Sequence, residues 1–207
     1  MTYPKVRVDA LTDGVFGVAM TLLVLDVRIP EHQVGNSHEL WAALGHVARG
    51  MLPYIISFFI LGLRWLSIAS IPSRAETVTP GYTRWWLANL FFVTLTPFTT
   101  ILVGRYPGFA PAIWVYAANT AVLCATSWLM DRQLVISGAA AGDERAMSER
   151  RASLATVFAV SVVVSGIAAL RPEMAMLFYL LLLFRPLLSK ARGMGRSDHA
   201  KTPSSQS

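Results

Sequence analysis

Charged residues punctuate this chain at intervals instead of alternating with apolar ones. Between them run long apolar stretches, and the sequence offers no series of ~10-residue alternating segments of the kind a membrane barrel needs. A helix rises about 1.5 Å per residue, so about 20 residues cross about 30 Å of hydrocarbon. Six segments approach that length, at about 8–28, 47–70, 84–104, 109–131, 153–170 and 172–189. The fifth is short but uninterrupted, and Pro172 suits the first turn of the sixth. The pattern predicts an all-α membrane protein of six transmembrane helices, forming a single domain over 1–190. The remainder, 191–207, is small, polar and basic, and is expected to be a disordered tail.

Composition agrees. Of 207 residues, 54% are hydrophobic and 14% are charged, against roughly a quarter charged in soluble domains. A net charge of +6 would suit a nucleic-acid partner if it were gathered in one patch, but the basic residues flank the apolar runs, where they set orientation. Lys5, Arg7, Arg74, Arg84, Arg132, Arg145, Arg150, Arg151, Arg185, Lys190, Arg192, Arg196 and Lys201 fall on one side of the expected topology. Only Arg28, Arg49, Arg105 and Arg171 fall on the other, with Arg64 inside the second span. Both termini are therefore expected in the cytoplasm of a cell-membrane protein, with no nucleic acid as partner. No cleavable leader is expected, because the first apolar run is long and lacks an Ala-x-Ala exit. The segment from Ile29 to Gly45 reads as an outer loop, and 138–142 as a flexible inner linker or the start of a short interfacial helix.

Most polar residues in the spans carry a plain structural reading. Cys124 is the sole cysteine and reads as a small buried hydrophobe. His32 and His38, near Glu31 and Glu39, lack the spacing of a metal site. Ser165-Gly166 lacks both the frame and the late-helix histidine of an intramembrane protease, so no enzyme is expected. Trp85, Trp86, Trp114 and Trp128 read as interfacial or lipid-facing aromatics. Asn89 and Asn119 read as interhelical hydrogen-bond donors, and Pro97 as a bend in the third helix.

The first helix stands apart. Gly14, Val18, Thr21 and Leu25 follow 4-3-4 spacing and share one face, which Leu11 extends. Gly14 and Gly17 permit close helix approach. An apolar constriction with one level of hydroxyls would suit a narrow ion path. Ordinary helix packing, with Thr21 bonded to the carbonyl of Gly17, fits the same periodicity. Asp9 and Asp13 share a face and need a cation or donor between them, for which Arg7, Arg64 or Asn89 is available.

Arg7-x-x-x-Leu11-Thr12-Asp13-Gly-Val-Phe, running into Thr21-Leu-Leu-Val-Leu, resembles the first helix of the transmembrane protein 175 family of potassium channels. That family's hallmark is Arg-x-x-x-Phe-Ser-Asp; here Leu11 replaces the Phe and Thr12 the Ser. Trp65 and the run from Asn89-Leu to Pro97-Phe98 extend the likeness, while Ile68 lies where the family often carries His. The likeness covers about the first 105 residues. It implies a homotetramer in which four first helices line a pore without a carbonyl filter loop, and this chain has no Thr-Val-Gly-Tyr-Gly segment. It also implies constriction and selectivity at Val18, Thr21 and Leu25, and a polar signature network of Arg7, Thr12, Asp13, Trp65 and Asn89. The permeant ion would be K+, with other monovalent cations or protons as further candidates, and no cofactor. A secondary transporter using Asp13 and Asp26 as carriers, and a non-conducting membrane scaffold, are the competing readings.

Overall fold

The computed structural model describes residues 3–27, 35–69, 77–139, 144–171 and 175. Its helices are α1 (Lys5–Leu22), α2 (Ser37–Gly50), α3 (Leu52–Ala69), α4 (Pro80–Arg105), α5 (Ala110–Ile136) and α6 (Glu144–Leu170). A 3-10 turn, Leu23–Asp26, prolongs α1. Five helical segments, all but α2, are long and apolar enough to cross a membrane. The chain is a multi-pass, all-α membrane protein. The sixth expected span, 172–189, and the tail 191–207 lie outside the described residues apart from Ala175.

Helix boundaries differ from the sequence expectation for identifiable reasons. The supposed outer loop contains α2, started by Asn36, whose side chain accepts from the Glu39 amide at 2.9 Å and donates to Glu39 Oε1 at 3.0 Å. This reciprocal cap satisfies amide groups that a new helix leaves unpaired. The second apolar run then breaks at Met51, because Pro53 has no amide hydrogen for the helix ladder. Helix α4 starts at Pro80, behind a Thr79 cap that accepts from the Tyr82 amide, and continues through Pro97. Helix α5 runs past Asp131, which is fully buried, so its charge lies within the helical bundle instead of marking an exit to water.

Helix α1 presents one face to the bundle. Val8, Thr12, Phe16 and Ala19 are buried, and Leu23 of the 3-10 turn continues their stripe. One core cluster joins α1, α3, α4 and α5 through Phe16, Leu61, Leu90, Val93, Leu123 and Met130. A second joins α3, α4, α5 and α6 through Ile56, Val103, Ile113, Tyr116, Val164 and Ala168. Beside the second core, Thr100 donates to Ser57 Oγ at 2.7 Å, and Ser57 and Tyr116 share a 3.0 Å hydroxyl contact. Asn119 donates to Thr96. A two-residue antiparallel ladder, Tyr3↔Val78 and Pro4↔Thr77, ties the start of α1 to the start of α4.

Phe16 is the largest buried side chain of α1, 1% exposed. Lipid is as apolar as the core, so helix association in a bilayer rests on packing more than on water exclusion. Phe16→Ala should therefore cost on the order of 2 kcal/mol, below the usual range for soluble cores. Unfolding titrations in mixed micelles check this, with Val6→Ala on the exposed side as a near-neutral control.

Candidate functional site

The bundle leaves the opposite face of α1 open. Leu11 is 50% exposed, Val18 59% and Leu25 62%, and Gly14, Gly17, Thr21 and Leu22 are exposed with them. A Cβ added at Gly14 or Gly17 would meet nothing within 4 Å. Leu11, Gly14, Val18, Thr21 and Leu25 thus form one continuous exposed stripe opposite the buried one, the placement 4-3-4 spacing requires. The Thr21 hydroxyl lies 3.0 Å from the Gly17 carbonyl and 2.9 Å from that of Val18. Its hydrogen is held by the helix backbone, which leaves the oxygen's lone pairs as acceptors on an open face.

Comparison with α3 distinguishes this face from an ordinary lipid-facing one. The exposed side of α3 carries Ile55, Phe59, Leu63 and Leu66, all bulky and apolar. The exposed side of α1 mixes Arg7, Asp13, Gly14, Gly17 and Thr21 among its apolar residues. Charge and hydroxyl toward hydrocarbon are costly and are normally turned to protein or to a water-filled path.

Behind the open face, the residues of the expected polar network fall into separate contacts. Thr12 is buried; its hydroxyl donates to the Val8 carbonyl at 2.7 Å and accepts from Trp86 Nε1 at 2.8 Å. Trp86 therefore belongs to the core and not to the lipid interface where the sequence reading placed it. A buried indole N–H needs an acceptor, and the Thr12 hydroxyl provides one. Asp13 accepts from Trp65 Nε1 at 2.8 Å. Asp9 is paired with Lys5 Nζ at 2.7 Å. Lys5 and Trp65 thus serve the two carboxylates, in place of the Arg7, Arg64 and Asn89 expected from sequence. Arg7 is exposed and takes no part in these pairs. A cavity of about 220 Å3, lined by Lys5, Asp9, Thr12, Asp13, Trp65 and Ile68, opens among them.

Asn89 points into α5 instead. Its Nδ2 donates to Thr126 Oγ1 at 2.7 Å, to Ser127 Oγ at 3.1 Å and to the Leu123 carbonyl at 3.2 Å. Arg64 reaches the same acceptors from α3, at 2.7 Å to the Leu123 carbonyl and 2.7 Å to Ser127. The sequence signal for Arg64 was a charge within an apolar span. Its partner was not legible there, because one acceptor is a backbone carbonyl.

Residues 7–97 match the model of the family described as endosomal/lysosomal potassium channel TMEM175. Over those residues the chain is similar to the TMEM175 family. A potassium channel of Streptomyces collinus is 32% identical over 100 residues, 48% of this chain and 48% of that protein. The endosomal/lysosomal proton channel TMEM175 of Rattus norvegicus is 34% identical over 95 residues, 43% of this chain and 19% of its own length. The chain therefore aligns over about half the length of the bacterial relative and a smaller share of the mammalian one. The crystal structure of a lysosomal potassium-selective channel TMEM175 homolog from Chamaesiphon minutus superposes with a TM-score of 0.71 at 24% identity. That superposition covers 88% of this chain and 96% of the other, and the fold is the TMEM175 fold. The match over 7–97 takes in all but the first two residues of α1, the whole of α2 and α3 and most of α4, including the open stripe and the Thr12–Trp86 and Asp13–Trp65 pairs.

Removing the Thr12 hydroxyl tests the buried pair. Thr12→Val is isosteric but leaves the Trp86 N–H without its acceptor, so stability should fall by about 1–2 kcal/mol. Thr12→Ser should stay within about 0.5 kcal/mol of the parent, because it keeps the acceptor. Detergent unfolding midpoints distinguish the two.

Proposed function

We propose that this protein is a cation channel favouring K+, formed by four copies arranged with the open faces of α1 around a common axis. The observation that carries the reading is the α1 stripe itself. It is open from Leu11 to Leu25, contains small residues and a hydroxyl, and lies back to back with a stripe wholly engaged in the bundle. Around an axis it would form an apolar neck at Val18 and Leu25 with a level of oxygen acceptors at Thr21. Apolar necks gate by dewetting, and ringed oxygens replace part of an ion's hydration. The names of the bacterial relatives support K+ as the permeant ion. Conduction would be passive, without a carbonyl filter loop, and without the enzyme chemistry for which the sequence offers no constellation. The excess of Lys and Arg on one side of the topology supports a cell-membrane location with both termini cytoplasmic. Thr12, Asp13 and Trp65 act in this scheme as supports that hold α1 against the bundle, and Asn89 as one that holds α4 to α5, not as ion ligands.

A second permeant ion has a specific motivation, since the rat relative carries the name of a proton channel. Protons would use the same aqueous path. A secondary transporter relying on Asp13 fits less well, because that carboxylate already accepts from Trp65.

Planar-bilayer recordings test the assignment. Thr21→Val should reduce the preference for K+ over Na+ about 5-fold, equivalent to about 1 kcal/mol. Val18→Ala and Leu25→Ala should each raise unitary conductance by widening the neck. Unchanged selectivity in Thr21→Val, or lower conductance in both alanine variants, would remove α1 from the pore.

A further inference from the structure

At the end of the bundle that carries Lys5, a single side chain fastens α6 to both α5 and α3. Arg150 Nε donates to Asp131 Oδ2 at 2.8 Å, with the two side chains 8% and 0% exposed. Arg150 Nη1 donates to the backbone carbonyl of Ser67. Ser67 lies in the last turn of α3. Two residues earlier in α3, Trp65 donates to Asp13 of α1. Side-chain contacts therefore run from α6 to α3, and from α3 to α1, within one turn of α3.

Helices α3 and α6 also contribute to a common apolar cluster. Ile56 and Ile60 of α3 share an apolar cluster with Val160, Val164, Ile167 and Ala168 of α6. Apolar packing of this kind holds two helices together but tolerates small slips. A guanidinium presents donors on a planar fork, so it can hold a carboxylate and a carbonyl at once and in fixed directions. An ammonium group is a point charge and lacks that fork. The charge balance also makes Asp131 hard to replace: it is a fully buried carboxylate beside Arg150, with Arg64 and Arg151 also acting on it electrostatically.

We propose that Arg150 is a positioning residue for α1: by holding the Ser67 carbonyl it fixes the last turn of α3, and through Trp65 the Lys5 end of α1. Helix α6 then sets where that end of α1 rests, although the two helices are joined only through α3 in this chain of contacts. The placement concerns the fold and stands apart from conduction. Its effect on ion flow rests on the channel reading above.

The test uses the full chain in liposomes, with Leu11→Cys on the exposed face of α1 as reporter and the labelling of buried Cys124 subtracted. The rate of reaction with a charged methanethiosulfonate is measured in the reporter alone and with Arg150→Lys, Trp65→Phe or both. Arg150→Lys keeps a cation beside Asp131 and so protects folding, while removing the fork that reaches Ser67. Each substitution should change the labelling rate about 3-fold and in the same direction, as expected for one intramembrane hydrogen bond. The double variant should match the singles, because both act on one path. The proposal is overturned if Arg150→Lys labels at the reporter's own rate, or if the two effects multiply in the double variant. K+ flux through the unsubstituted protein, measured in the same liposomes, is a separate arm that bears on the channel reading alone.

Discussion

Inside a bilayer a polar group has no water to turn to, and must find its partner within the protein. Most of this bundle can be understood from that constraint. Thr12 is buried and both donates and accepts. Asn89 spreads its amide over three acceptors, and Arg64 bonds a carbonyl and a hydroxyl where α3 meets α5. Asp131 is matched by Arg150. Apart from the donation of Thr12 to its own helix at Val8, these contacts join different helices, so satisfying the polar groups also fixes how the helices pack. Such hydrogen bonds are individually modest in membranes, about 0.6 kcal/mol on average. Their value here is directional, since apolar packing in lipid gains little from excluding water.

Set against that rule, the open face of α1, where a hydroxyl is joined by two glycines on one stripe, calls for a functional account. Thr21 directs its hydrogen to its own helix and keeps its acceptor capacity unused by other elements. Gly14 and Gly17 carry no side chain into an open region. A face meant for lipid gains nothing from these residues, as the uniformly bulky exposed stripe of α3 illustrates. The same helix thus carries two opposed stripes, one anchored in the bundle and one left open.

Much of this was legible in the sequence. The apolar runs gave the spans because hydrophobic length is set by bilayer thickness, independently of tertiary detail. The α1 stripe followed from periodicity, which fixes relative faces on any helix. What periodicity left open was which stripe the bundle would take, since Val8-Thr12-Phe16 and Leu11-Gly14-Val18 have similar apolar content. Burial of Thr12 and Trp86 decides it, and the indole was misplaced because tryptophan is at home both at an interface and in a core. Helix α2 was missed for a local reason: Asn36 and Glu39 form a cap at the edge of what read as a polar loop. Arg64 was visible as an anomaly, but its partners were not, nor was the Arg150–Asp131 pair across a turn that composition alone does not close.

The family match ends at residue 97, yet the supports of the open helix extend well past it. Asn89 and Arg64 lie inside the matched region, and the acceptors they use belong to α5. One of those acceptors, the Leu123 carbonyl, exists whatever side chain stands at that position. Ser127 asks only for a hydroxyl of modest size. The contact between the Ala110 end of α5 and α6, where Trp114 donates to the Ser165 carbonyl, again uses a backbone oxygen. Where a scaffold offers backbone acceptors and packing surfaces, its sequence can drift while the geometry persists. On the channel reading proposed above, the wall formed by α1 is different, because the chemistry at each level depends on the side chain. On that reading a fold can superpose across 88% of the chain while the family model matches residues 7–97, which carry α1 and its immediate partners.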